Sequence, residues 1–143
     1  MKLDKKVALV TGASRGLGAA IATRLAEAGA KTAINYLSRE KEATLMRDSL
    51  VRNGFTAEIF QADVTHEEGV KSLCRNVQSV FGAIDILVVN ATLVHVHKPI
   101  EELAWKDFLD HYEFSVRSPL LLAQQLVPSM KERKQGRIIH IGS

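Results

Sequence analysis

The amino-acid sequence is most informative at Thr11-Gly12-Ala13-Ser14-Arg15-Gly16-Leu17-Gly18, between an apolar segment at 7–10 and a segment of helical periodicity. A glycine-rich turn between a strand and a helix is the arrangement in which proteins hold the pyrophosphate of a dinucleotide. We expect Gly12 to permit the tight turn, Gly16 to let the backbone approach a phosphate, and Gly18 to let the helix lie close to the sheet. The helix N-terminus would add N–H donors and positive potential, so this stretch predicts a dinucleotide-binding turn.

Strand-length apolar runs alternate with helical segments along the whole chain. This alternation predicts an α/β fold, a doubly wound parallel sheet with helices on both faces, in one domain spanning residues 1–143. The runs are mostly apolar, as expected for strands buried on both faces. Strands are predicted at residues 7–10, 32–35, 56–62, 85–90 and 137–141. Helices are predicted at 17–28, 39–52, about 65–81 and 100–108, followed by a longer helix up to Arg133 that Pro119 and Pro128 bend.

The third helix has the clearest periodicity. Apolar side chains recur at helical intervals from Val70 to Phe81, and Thr65 and Glu68 have the spacing of a capping box. The single cysteine, Cys74, falls on the apolar face of this helix. We therefore expect a buried thiol rather than a disulfide or a metal ligand.

Composition restricts the class of protein. The 143 residues are 46% hydrophobic and 24% charged, with a formal net charge of +3, which predicts a globular protein. No secretory signal or apolar run of membrane-span length is recognisable, so a cytoplasmic location is expected. The basic run at Lys131, Arg133, Lys134 and Arg137 favours a solvated helix end. Nucleic-acid binding through that run is the weaker alternative, with strongly salt-dependent affinity as its signature.

A metal site is not expected. The best candidate pair, His95 and His97, has no third ligand close to it in sequence, and a zinc site needs three or four protein ligands. Trp105 and Phe108 are expected to lie in the core or at a subunit contact rather than to form a base-stacking platform.

Several motifs together resemble the short-chain dehydrogenase/reductase family. The glycine spacing after Thr11, Asp63-Val64 after the third strand, Asn90-Ala91 after the fourth and 136–143 around the fifth all match in order, with Thr92 in place of a family glycine. Within the family the 3-oxoacyl-[acyl-carrier-protein] reductases are the most similar. The resemblance implies a Rossmann fold of strand order 3-2-1-4-5 that ends here after the fifth strand. It also implies that Asp63 and Val64 hold the adenine, and that Asn90 and Ala91 contact the cofactor.

The expected cofactor is NADP (NADPH). An acid at the end of the second strand binds the ribose of NAD and repels the 2′-phosphate of NADP. By alignment that position is Tyr36, which carries no charge. Arg15 and Ser14 in the glycine turn, with Ser38 or Arg39, are the candidate ligands of the 2′-phosphate. Leu17 completes the predicted site within the turn.

The resemblance implies hydride transfer between NADPH and a carbonyl or acyl-thioester substrate, with a tyrosine as proton donor. Ser143 matches the family's catalytic serine, but neither Tyr36 nor Tyr112 has a lysine four residues later, as the family's Tyr-x-x-x-Lys pair requires. Ser115 aligns with a family asparagine. The favoured interpretation is the cofactor-binding part of a reductase, inactive alone, and the alternative is a non-catalytic NADP-binding module.

Self-association is also expected. The family packs the long helix across a subunit interface, and the fifth strand would be an unpaired edge. A sticky helix face is predicted through Leu120, Leu121, Leu122 and Leu126, so a homo-oligomer is the expected assembly.

Overall fold

The computed structural model describes residues 2–93 and 97–142, which form one parallel sheet between two layers of helices. The strands are β1 Val7–Val10, β2 Lys31–Tyr36, β3 Ala57–Gln61, β4 Ile86–Val89 and β5 Arg137–His140. The helices are α1 Gly16–Glu27, α2 Glu40–Arg52, α3 Glu67–Phe81, α4 Trp105–Tyr112 and α5 Ser118–Glu132. The strand order is β3-β2-β1-β4-β5, which confirms the predicted doubly wound Rossmann fold.

The strands lie within two residues of their predicted bounds because the inner strands are buried on both faces. Every residue of β1 and β4 is buried. Leu9 of β1 pairs in register with Ala33 of β2 on one side and Leu87 of β4 on the other. A strand enclosed in this way has no polar face, and its apolar run marks its position directly.

Alternate residues of each strand serve two separate cores. Leu9, Leu87 and Val89 pack with α3 and α5, whereas Ala8, Val10 and Ile34 pack with α1 and α2. The α1 side uses small residues, among them Ala22 and Ala26, which bring that helix close to the sheet. This close approach sets the position of the glycine turn that precedes α1.

The predicted capping box of α3 is wrong. The N-cap residue is His66, and no side chain caps this helix end. Thr65 instead donates its hydroxyl to the Asp63 carboxylate at 2.6 Å and its backbone N–H to the same oxygen at 2.9 Å. The Asp63 carboxylate takes both Thr65 donors because an aspartate readily accepts a hydrogen bond from the backbone N–H two residues later.

The helix predicted at residues 100–108 begins later. Ile100–Glu102 forms only a 3₁₀ turn, and α4 starts at Trp105. The Asp107 carboxylate accepts the Ala104 N–H at 2.8 Å and is held by Lys98 at 2.9 Å, which fixes the helix start. The predicted long, bent helix appears as α4, a π-helical turn at Glu113–Arg117 and α5, with Pro119 in the first turn of α5.

The predicted leucine face of α5 is also wrong in part. Leu122 and Leu126 are fully buried in the core and Leu121 packs against it, so only Leu120 is exposed. Trp105 and Phe108 do not enter the core: Trp105 is 72% exposed, and the two rings stack with centroids 6.0 Å apart. Of the four predicted leucines only Leu120 therefore contributes to the exposed apolar surface, whereas several side chains of α4 and the π turn do.

The burial expected for Cys74 is confirmed. Its side chain lies in the core beside Val70, Leu73 and Val77 of the same helix. Burial raises the pKa of the thiol to about 11, so the reactive thiolate is scarce at neutral pH.

A buried carboxylate joins the two ends of the fold at the amino edge of the sheet. Asp85 accepts hydrogen bonds from the Val7 N–H at 2.9 Å, Arg133 at 2.7 Å and Gln135 at 2.8 Å. Burial would raise the pKa of Asp85, but these donors outweigh it and lower that pKa below its ordinary value. The ionised carboxylate thus ties β1 to the segment after α5.

We expect Asp85→Asn to lower the free energy of unfolding by about 2 kcal/mol at pH 7, because Arg133 loses its partner. Because the pKa of Asp85 is lower in the folded state than in the unfolded chain, its carboxylate stabilises the fold fully above about pH 4, the pKa in the unfolded chain. This stabilisation is lost as the pH falls through the pKa of the folded state. Urea unfolding at pH 7 and at low pH measures both effects. Asp110→Asn, in an exposed pair with Lys106, is the control, and an equal loss in both variants would contradict the prediction.

Candidate functional site

A cleft of about 690 Å³ opens where the strands reach their carboxyl ends, at the switch between β1–β2 and β1–β4. Clefts of this size at this point of an open α/β sheet are typical ligand sites. All twelve residues predicted to bind the cofactor line it: Gly12, Ser14, Arg15, Gly16, Leu17, Gly18, Tyr36, Arg39, Asp63, Val64, Asn90 and Ala91. Ser143, the predicted catalytic residue, lies outside the described residues.

The glycine turn needs its glycines for two different reasons. Gly12 and Gly16 have φ values of +60° and +57°, a region that side chains strongly disfavour. Gly18 needs space instead, since a Cβ there would lie 2.5 Å from the Asn90 amide nitrogen and 2.6 Å from the Gly12 carbonyl oxygen. Gly16 has open space in front of it, so a ligand can approach its backbone closely.

The N-terminus of α1 points its free donors into this cleft. Arg15 is the N-cap residue but makes no capping side-chain hydrogen bond, and the Ala19 N–H is the first to bond within the helix, to the Arg15 carbonyl. The N–H groups of the first turn therefore lack intrahelical acceptors. They provide a site for an anion such as a phosphate.

Thr11 and Asn90 join the glycine turn to the end of β4. The buried Thr11 hydroxyl accepts the backbone N–H groups of Asn90 and Ala91, both at 3.0 Å. The Asn90 side-chain amide donates to the carbonyls of Thr11 at 3.0 Å and Gly12 at 3.1 Å. In this structure Asn90 thus fixes the shape of the turn.

Asn35 is a site residue that the sequence analysis missed. Its side chain is buried, and its Oδ1 accepts the Gly12 N–H at 3.2 Å. Its amide nitrogen donates to the carbonyls of Phe60 at 3.3 Å and Ala62 at 3.1 Å. Asn35 therefore joins β1, β2 and β3 directly beneath the glycine turn. The only sequence signal was a side-chain amide between Ile34 and Tyr36 in the second strand, a placement that calls for buried partners.

Charges of both signs surround the end of β2. Burial, together with the Glu40 carboxylate beside it, raises the pKa of Tyr36. Arg39 lies 3.0 Å from Glu42, whose pKa is lowered by its own backbone N–H, by Arg39 and by the more distant Arg15. Within the described residues the Arg15 side chain makes no hydrogen bond or ion pair. Arg15 is therefore the more available cation at this end of the cleft.

Asp63 is held rigidly at the end of β3. One oxygen accepts from Thr65, and the other lies 3.1 Å from His66 Nδ1. Burial would raise the pKa of Asp63, but the Thr65 donors and His66 outweigh it and lower that pKa. Gly69 in the first turn of α3 is essential to this arrangement, because a Cβ there would collide with the Asp63 carbonyl oxygen.

The opposite end of the cleft is mainly apolar. Its lining residues follow β4 and β5 or belong to the π turn: Asn90, Ala91, Thr92, Leu93, Phe114, Ile141 and Gly142. Ser115, which aligns with the family asparagine, is exposed and is not among these lining residues. Phe114, its neighbour in the π turn, occupies the cleft wall instead.

The described residues, 2–93 and 97–142, were also compared with the requirements of a metal site and of a membrane-spanning helix. No group of three or more His, Cys, Asp or Glu side chains in these segments is placed to hold a metal ion. His95 of the candidate histidine pair lies outside them. None of the helices in the described segments has the length and apolar character needed to cross a membrane.

A family comparison identifies the chain. The family model of the short chain dehydrogenases matches residues 6–143. The chain belongs to the short-chain dehydrogenase family. This short-chain dehydrogenase chain is 38% identical over 145 aligned positions to the 3-oxoacyl-[acyl-carrier-protein] reductase FabG of Vibrio cholerae, and the alignment covers the whole chain and 57% of that reductase.

Solved structures agree with the family. A metagenomic short-chain oxidoreductase in complex with NADP is 30% identical, with a TM-score of 0.92, over the whole chain and 64% of that protein. A metagenomic blue fluorescent protein in complex with NADPH is 36% identical, with a TM-score of 0.89, over the whole chain and 57% of that protein. The chain thus spans between 57% and 64% of the length of these relatives.

Proposed function

We propose that the chain is the cofactor-binding part of an NADP-dependent oxidoreductase. One observation carries the proposal: a single cleft at the switch point collects the glycine turn, the uncapped N-terminus of α1 and the ends of β2, β3 and β4. This is the place where open α/β sheets bind dinucleotides. Similar proteins in complex with NADP and NADPH support the same cofactor.

The proposed orientation of NADPH follows the strand order. The pyrophosphate lies on the N–H groups of Gly16, Leu17 and Gly18, in front of the helix N-terminus. The adenine lies beside Asp63 and Val64, at the end of β3. The nicotinamide half then reaches the end of β4 at Asn90 and Ala91, because the two halves of the dinucleotide extend to opposite sides of β1.

We expect tighter binding of NADPH than of NADH, with Arg15 and Ser14 contacting the 2′-phosphate. Arg15→Ala should weaken NADPH binding about tenfold and NADH binding little, because a charge-assisted hydrogen bond to phosphate is lost. Tyr36→Asp should narrow or reverse the preference, since a carboxylate there repels the phosphate. Nicotinamide fluorescence titrations of the unmodified chain and both variants, each with NADPH and with NADH, measure the six affinities.

Two controls accompany this titration. Arg75→Ala removes an exposed arginine of α3 outside the cleft and should leave both affinities unchanged. Arg39→Ala should have a smaller effect than Arg15→Ala because Arg39 is already paired with Glu42. Equal or tighter NADH binding by the unmodified chain would contradict the assigned preference, and no binding of either nucleotide would contradict the proposed function.

The proposed chemistry is hydride transfer between NADPH and a small carbonyl or acyl-thioester substrate of the 3-oxoacyl type. The similarity to the Vibrio cholerae reductase supports this substrate class. Ser143 is the proposed hydrogen-bond donor to the substrate oxygen. The second candidate function is a non-catalytic NADP-binding module, which needs only the cleft and its cofactor contacts.

We also propose that the chain associates with further copies of itself, through α4, the π turn and β5 rather than through the leucines of α5. Exposed apolar side chains line α4 and the π turn: Trp105, Phe108, Leu109, Tyr112 and Val116. The edge strand β5 exposes Ile138 and Ile139 on opposite faces. Such surfaces promote association when they remain uncovered.

Light scattering should therefore detect dimers or larger species at micromolar concentration. Trp105→Ser with Phe108→Ser should shift the distribution towards monomer, because the stacked aromatic pair is the largest exposed apolar feature of α4. A monodisperse monomer of the unmodified chain would contradict the proposal.

A further inference from the structure

Phe114 belongs to the π turn and lines the cleft. The turn at Glu113–Arg117 inserts between α4 and α5, and π turns of this kind often occur at functional sites because they redirect side chains. Phe114 is partly buried and lines the cleft, whereas the two residues after it in the turn, Ser115 and Val116, are exposed. The ring belongs to neither core cluster, so it is not explained as packing.

The surroundings of Phe114 differ from those at the other end of the cleft. Around the ends of β2 and β3 the lining is polar and charged, with Arg15, Ser38, Arg39 and Asp63. Around β4 and β5 the lining includes the apolar side chains of Leu93, Phe114 and Ile141. A dinucleotide bound across this cleft would therefore place one half among charges and the other against an apolar wall.

We propose that Phe114 is a positioning residue for the nicotinamide ring, forming the apolar wall against which the ring is held. This inference rests on the proposed function and adds to it a residue that the family motifs do not include. An aromatic side chain offers a large, rigid contact area at a small cost in conformational entropy. Holding the ring and excluding water from it favours a reactive geometry.

The test compares a whole cofactor with a fragment that lacks nicotinamide. NADPH and adenosine 2′,5′-bisphosphate share the adenine and the 2′-phosphate, so only NADPH can reach Phe114. Phe114→Ala should weaken NADPH binding about tenfold and leave the bisphosphate affinity within twofold of the unmodified value. Phe114→Leu should restore most of the NADPH affinity, because it keeps an apolar contact. Calorimetric titration of the 143-residue chain gives both constants.

Phe108→Ala is the matched control, since it removes a phenyl ring from the exposed surface of α4 outside the cleft. The emission of bound NADPH gives a second readout: it should be weaker and shifted to the red in Phe114→Ala but not in Phe108→Ala. An unchanged NADPH affinity in Phe114→Ala, or an equal loss for both probes, would overturn the assignment and leave the proposed function standing. If the unmodified chain binds neither probe, the proposed function fails and the assignment fails with it.

Discussion

The 143-residue chain is expected to bind NADPH and yet leave an acetoacetyl thioester unreduced. The proposed chemistry needs a tyrosine hydroxyl that protonates the carbonyl oxygen as hydride arrives at the carbon. The residues four positions after Tyr36 and Tyr112 are Glu40 and Val116, so no lysine accompanies either tyrosine. Loss of general-acid help lowers rates by roughly 10²–10⁴-fold, before any loss of the substrate pocket. Absorbance of NADPH at its nicotinamide band follows the reaction.

The control is a longer polypeptide in which the same residues are followed by a Tyr-x-x-x-Lys segment, and it should oxidise NADPH when the thioester is added. In that polypeptide Ser143→Ala should lower kcat sharply with little change in NADPH affinity, because the serine acts at the carbonyl and not at the dinucleotide. Steady thioester-dependent NADPH oxidation by the pure 143-residue chain would contradict the prediction and show that another group supplies the proton.

The sequence predicted the sheet and the glycine turn well because both depend on local patterns. The inner strands β1 and β4 are continuous apolar runs, and the roles of Gly12 and Gly16 follow from a turn that demands positive φ. The family motifs then predicted correctly that Asp63, Asn90 and Tyr36 lie at the carboxyl ends of the third, fourth and second strands. These residues line one cleft because the carboxyl ends of parallel strands meet at one edge.

Residues whose partners are distant in sequence were harder to predict. Asn35 contacts Gly12 and Ala62, and Gly69 is required by the Asp63 carbonyl, neither of which a local pattern indicates. The error at Thr65 has a local origin instead, since Asp63, only two residues earlier, is the acceptor that takes both Thr65 donors. Leu122 and Leu126 were placed on an exposed face because a helix with many leucines does not specify which of them face the sheet.

The buried amide of Asn35 should carry a large share of both stability and cofactor affinity. Asn35→Ala leaves the Gly12 N–H and the carbonyls of Phe60 and Ala62 without this partner, beneath the glycine turn, where Asn35 itself is only 2% exposed. Each unsatisfied buried group costs about 1–3 kcal/mol, so we expect a total loss of about 2–4 kcal/mol in the free energy of unfolding. Asn76→Ala, an exposed asparagine of α3, should change this value by less than about 0.5 kcal/mol.

A second variant separates the stability effect from the effect on the cofactor. Asn35→Asp keeps an oxygen for the Gly12 N–H but cannot donate to the β3 carbonyls, and it places a negative charge beneath the turn proposed to hold the pyrophosphate. NADPH affinity should therefore fall further in Asn35→Asp than in Asn35→Ala when both are measured at a temperature where each is folded. Urea unfolding and calorimetric titration give the two quantities independently. If the aspartate variant bound NADPH as tightly as the unmodified chain, the pyrophosphate would have to lie away from the Gly12 turn, and the proposed orientation of the cofactor would be wrong.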